Sequence, residues 1–95
     1  MIRDANFNYP MLPGWQTADI VIVSALYSAV SKAYEGGIDR DELLSAYRAF
    51  KTVVTQKSEE KQLGRQFEAE SHYSIYAVMQ VAKKSQQRRV RMGDA

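Results

Sequence analysis

The stretch Gly36-Gly37-Ile38-Asp39-Arg40-Asp41-Glu42-Leu43 decides how the chain folds. It reads as the end of one helix and the start of the next. Glycine takes the left-handed backbone at a helix C-terminus without a Cβ clash, so Gly36 and Gly37 stop whatever precedes them. Asp39 then serves as an N-cap, and Glu42 three residues later completes a capping box. Ile38 and Leu43 flank the cap as a hydrophobic staple. A link of about three residues forces the two helices to pack as antiparallel neighbours.

Upstream, Ile20, Val23, Tyr27, Val30 and Tyr34 step by three and four, which is one helical stripe. Val21, Ile22 and Leu26 widen it, and Ser24, Ser28, Ser31 and Glu35 take the opposite side. A band this wide implies more than one covering neighbour. Thr17 is the expected N-cap, with Asp19 in the first turn. Before it, Pro10, Pro13 and Gly14 forbid regular helix over residues 1–16. Phe7, Tyr9, Met11, Leu12 and Trp15 make that segment too apolar for a solvated tail. An extended arm with packed rings is the expectation.

Downstream, Leu43, Tyr47, Phe50 and Val54 carry the second helix. A third is expected from near Ser58, with Glu59 and Glu60 in its first turn and only Leu63 and Phe67 to bury. Thr55 to Lys57 is a weak boundary that leaves a continuous second and third helix open. A fourth starts after Ser74 and presents Ile75, Val78, Met79 and Ala82, with Tyr76 and Val81 beside them. Residues 88–95 are expected to fray. No strand-like alternation appears. The fold class is all-α: a single domain over 1–95, a small bundle of about four helices preceded by an irregular aromatic arm.

The chain has 95 residues, no cysteine and one histidine. It therefore lacks the means for a disulfide framework, thiolate chemistry or a site needing two imidazoles. His72 stands four residues after Glu68 but has no further ligands at recognisable spacing, so it reads as a helix-closing residue and not a metal ligand. Asp39-Arg40-Asp41 resembles a calcium loop only at its start, because the sixth position is Leu44 and no loop follows. Glu59 and Glu60 diverge by about 100° on a helix and cannot act as a carboxylate pair. No catalytic constellation, cofactor site or metal site emerges. With neither a spanning apolar run nor a secretory pattern, the chain reads as cytoplasmic and off the membrane.

Net charge is +2, unevenly spread. Lys83, Lys84, Arg88, Arg89 and Arg91 make the last thirteen residues net +4, and the rest is net −2. Arg48, Lys51, Lys57, Lys61 and Arg65 form a second basic group, but Glu59, Glu60 and Glu68 lie among them and suggest surface pairing. Lys83, Lys84, Arg88, Arg89 and Arg91 with Tyr9 and Trp15 are the candidate interaction surface. The expected function is a non-catalytic protein-interaction or regulatory module, binding an unknown protein or itself. The alternatives are a nucleic-acid-associated protein using the basic helix end and tail, and an enzyme that a deep pocket of convergent ionisable groups would reveal. No small-molecule substrate is evident.

The order Tyr9-Pro10, then Gly37 to Lys51, Glu59-Glu60-Lys61-Gln62-Leu63, Phe67-Glu68 and Tyr73-Ser74-Ile75-Tyr76 resembles the YktA-like uncharacterised proteins of Gram-positive bacteria. The resemblance spans roughly residues 9–84 and implies a small, cytoplasmic, all-helical protein of unassigned role. It carries over no functional residue. Members tend to place acids where this chain has Leu12-Pro13-Gly14, often a proline near Thr55, and glycine where His72 stands. On this reading Arg88-Arg89-Val90-Arg91 lies outside the likeness.

Overall fold

Helix α1, Thr17–Glu35, is covered on several sides from Val23 onward, whereas Ile20 and Val21, read as part of its apolar band, are exposed in its first turns. Val23, Leu26, Tyr27, Val30 and Ala33 are wholly buried, with Ala29 nearly so. The structure, a computed structural model, describes residues 10–92. The helix begins one residue earlier than the cap expected at Thr17: Gln16 is the flanking residue, and its N–H donates to the Asp19 carboxylate at 3.1 Å. Ser31, expected on the outer side, is buried and donates to the Tyr27 carbonyl at 3.0 Å. This local bond satisfies the hydroxyl and lets the apolar band wrap past it.

Gly36 and Gly37 end α1 as expected, and Gly37 sits at φ +114°, where an L side chain is strained. A Cβ there would also lie 2.7 Å from Arg89 Nε. The chain then forms β1, Ile38–Asp39, and enters α2, Arg40–Val53. The Asp39 carboxylate accepts from the Glu42 N–H at 3.1 Å. The Glu42 carboxylate lies 3.9 Å from Lys32, so the cap works in one direction through Asp39. Leu43 and Phe50 are fully buried, and the α1–α2 contact is the most extensive between helices among the described residues.

α2 and α3 are separate helices. Val54 leaves helical geometry (φ −105°, ψ +92°) and is fully buried. Its burial fixes the break without a proline. Helix α3, Lys57–Ser71, inserts Leu63 and Phe67 into the core and ends at His72. His72 is left-handed (φ +68°), and its N–H donates to the Glu68 carbonyl at 2.7 Å. This is the helix-closing role read from the sequence. A non-glycine residue pays about 1 kcal/mol to stand there. His72→Gly should therefore stabilise the fold by about 0.5–1 kcal/mol, measured as a raised denaturant midpoint; a lowered midpoint would show that the imidazole itself contributes.

Helix α4, Ile75–Lys84, starts where expected, with Ser74 accepting from the Ala77 N–H at 3.0 Å. Ile75, Val78, Met79 and Ala82 are its buried face, as the pattern implied. The α3–α4 turn is tied to the end of α1. Tyr34 and Tyr73 stack at 4.4 Å, the Tyr73 hydroxyl donates to Glu35, and the Ser74 N–H donates to the Tyr34 hydroxyl.

Residues 88–92 correct the expectation of a frayed tail. Arg89–Val90 form β2, which pairs antiparallel with β1, Ile38 opposite Val90 and Asp39 opposite Arg89. Val90 is 1% exposed. The Arg40 N–H donates to the Arg88 carbonyl, and the Met92 N–H to the Ala33 carbonyl. Burial of Val90 and these long-range bonds outweigh the charge of the flanking arginines. The fold is all-α, with this two-stranded clasp added.

Over its described part the N-terminal arm packs through Pro10, Leu12 and Trp15, whereas Met11, read with them, is exposed. Pro10 is buried and its carbonyl accepts from the Tyr27 hydroxyl at 2.9 Å. Leu12 and Trp15 lie against the core, where Tyr27 stacks on Phe67 at 4.7 Å. Phe7 and Tyr9 lie outside the described residues.

Candidate binding groove

Three helices place one basic concavity on the surface. α3 supplies Lys57, Lys61 and Arg65, α4 supplies Tyr76, Met79 and Lys83, and α2 supplies Tyr47 and Lys51. Together they line a groove of about 530 Å³. Lys57, Lys61 and Arg65 recur every fourth residue, so they form one ridge along α3. Tyr76 is 74% exposed. The aliphatic stems of the lysines extend the apolar surface that Tyr76 begins.

Two of the groove's ionisable groups, Tyr47 and Glu60, share one hydrogen-bond network with Lys51. Glu60 accepts from the Tyr47 hydroxyl at 2.7 Å and from Lys51 Nζ at 2.5 Å. Burial acts to raise the Glu60 carboxyl, but the hydrogen bonds from Lys51 and Tyr47 and the charges of Lys51 and Lys57 outweigh it, so it sits below its ordinary value. Tyr47 is pushed up to about 12, first by burial and then by the hydrogen bond to Glu60 and its charge. Breaking this network has a definite sign. A depressed carboxyl contributes stability above its unfolded value of 4.5 and loses it as pH falls through the lower folded value. The stability difference between the wild type and Glu60→Gln should therefore shrink as pH drops below 4.5. The same substitution should bring the Tyr47 titration down from about 12. Acid denaturation curves and an alkaline absorbance titration read the two effects; a difference that grows in acid would contradict the network.

The basic residues singled out in the sequence are divided by the fold. Lys83 lines the groove. Lys84 is exposed in the last turn of α4. Arg88 borders a smaller cavity of about 150 Å³ with Arg40 and Asp41. Arg89 donates to the Gly37 carbonyl at 3.3 Å, and Arg91 packs beside Gly37. Trp15 is half-buried against the core. The second basic group was read as pairing with its acids. Among the described residues only Lys51–Glu60 of that group forms an ion pair. Lys57, Lys61 and Arg65 instead face a groove, and their four-residue spacing is the sequence signal that marks it. His72 is exposed at the α3 terminus, and no group of three or more His, Asp or Glu among the described residues could hold a metal ion. No helix among them is long and apolar enough to cross a membrane.

The fold and site define a small all-α domain with a two-stranded clasp and a basic, aromatic-rimmed groove. The chain belongs to the uncharacterised protein family UPF0223, whose match covers residues 6–91. It is 46% identical over 88 residues to a UPF0223 protein of Streptococcus thermophilus, covering 93% of this chain and 95% of that one. It is 48% identical over 86 residues to one of Bacillus velezensis, covering 90% and 98%. A Listeria monocytogenes relative is 45% identical over 86 residues, covering 90% and 96%. The likeness to an uncharacterised family of Gram-positive bacteria is borne out. Its expected extent is corrected, because the match runs through Arg91 and takes in the basic segment that ends the clasp.

Proposed function

We propose that this chain is a non-catalytic protein-interaction module that works in the cytoplasm, docks a segment of another protein in the α2–α3–α4 groove and regulates through that occupancy. The observation that carries the reading is Tyr76, a 74% exposed aromatic on the rim of a groove edged by cations. Tyrosine is a favoured interface anchor because its ring is apolar while its hydroxyl can stay wet at the rim. Cations around such an anchor steer a partner and fix its register. The titration states support a binding role over an acid–base one. A glutamate below its ordinary value and a tyrosine near 12 are poorly placed for proton transfer near neutral pH.

Nucleic acid is the second reading, favoured by Lys83 joining the α3 ridge. Against it, Glu60 and Glu68 lie in the same groove and repel phosphate. A photo-cross-linking residue at position 76 in the intact protein separates the two in cells. The same residue at Ser45, exposed on α2 and outside the groove, is the control. A discrete, nuclease-resistant protein adduct from position 76 alone is expected. Equal adducts from both positions, or adducts lost to nuclease, would overturn the reading.

A further inference from the structure

We infer that the occupant of this groove is an acidic amphipathic helix from a partner protein. The inference rests on reading the groove as a protein-docking site and names what that site accepts. The groove walls carry Lys51, Lys57, Lys61, Arg65 and Lys83 against Glu60 and Glu68. Lys51 is already paired with Glu60. The side chains left over are therefore cationic, apart from Glu68 at one end. Their complement is an anionic surface with a gap, which a mixed peptide sequence provides and a uniform polyphosphate does not.

The geometry selects a helix over an extended strand. Lys57, Lys61 and Arg65 are spaced by four residues, about 6 Å along α3. A partner helix with acids every fourth residue presents the same pitch, and such rows pack as ridges into grooves. A helix also satisfies its own backbone. Strand addition is closed to a partner here, because the walls are helices α2, α3 and α4 and offer no sheet edge. The ridge spans about 12 Å from Lys57 to Arg65, so two to three turns of partner suffice. A leucine-bearing stripe beside the acids would bury Tyr76.

The probe is a synthetic alanine-rich helical peptide of about four turns, with glutamates four residues apart and leucines on the adjoining stripe. Its controls are a peptide of the same composition with the glutamates dispersed around the helix, the glutamine version, and a single-stranded oligothymidylate. Amide shifts of the intact protein are followed on titration. The striped peptide should move the signals of Gly64, Arg65, Tyr76 and Gln80, and bind less tightly as salt rises. The dispersed and glutamine peptides should bind at least about tenfold more weakly. The triple substitution Lys57→Glu, Lys61→Glu, Arg65→Glu should impose the same loss. These side chains are exposed, and a circular dichroism melt of the variant checks that its fold is kept. Lys57→Gln with Lys61→Gln is a milder second variant that should weaken binding in the same direction. Equal binding of striped and dispersed peptides, unchanged binding by either variant, or groove shifts from the oligothymidylate alone would overturn the inference. If the peptide fails while the position-76 adduct persists, the helix inference falls and the docking reading stands. Loss of the adduct removes the docking reading itself.

Discussion

Deleting residues 86–95 is expected to lower the melting temperature by about 20–30 °C. The deletion removes Val90, 1% exposed, whose burial is worth about 1.5–3 kcal/mol. It also strips partners from the Arg40 N–H and the Ala33 carbonyl, about 1 kcal/mol each. Ile38, 3% exposed and paired with Val90, loses its cover. A loss of about 4 kcal/mol is large against the total of about 5–14 kcal/mol for a domain of this size. Calorimetry or a circular dichroism melt measures it. A truncated chain that melts with the full-length protein would mean the clasp contributes nothing. The same arithmetic makes truncation a poor probe of the basic tail's binding role, because stability would fall together with the charge. Lys84→Gln with Arg88→Gln removes charge from exposed side chains and spares Val90.

Phe67→Ala should cost about 3–5 kcal/mol. Phe67 is 1% exposed and stacks on Tyr27 at 4.7 Å. α3 has few other anchors: Leu63 is its remaining large buried side chain. Removing the ring leaves a cavity and detaches the helix that carries Lys57, Lys61 and Arg65. Hydrogen exchange should therefore rise first along α3, and peptide binding at the groove should fall with it. Phe67→Leu, which keeps most of the volume, should cost about 1.5 kcal/mol or less. An alanine variant whose α3 exchanges as slowly as the wild type would show that Leu63 alone holds the helix.

Local signals were legible in the sequence because they act over a few residues. Asp39 and Ser74 cap their helices, Gly37 takes its positive φ, and the buried faces of α2 and α4 follow their periodicity. The α2–α3 break was open, because it depends on Val54 finding a place in the core and not on any breaker residue. The clasp was invisible: two residues per strand show no alternation, and Arg89 and Gly37 lie 52 residues apart. The groove was half legible. Lys57, Lys61 and Arg65 share a face by spacing alone, but only the packing of α3 beside α4 sets Lys83 and Tyr76 across from them. The reverse holds for Arg89, whose charge suggested a free surface while its guanidinium bonds the Gly37 carbonyl.

The clasp also bears on the time course of folding. The α1–α2 hairpin closes over a short link, whereas Ile38 meets Val90 only after about fifty intervening residues are gathered. Contacts of such separation form late. Val90→Ala should then leave the refolding rate nearly unchanged and speed unfolding by about tenfold. Stopped-flow refolding and unfolding of Val90→Ala read the two limbs. On this expectation the clasp governs the lifetime of the folded state and the helices how fast it is reached; a slowed refolding limb would reverse that assignment.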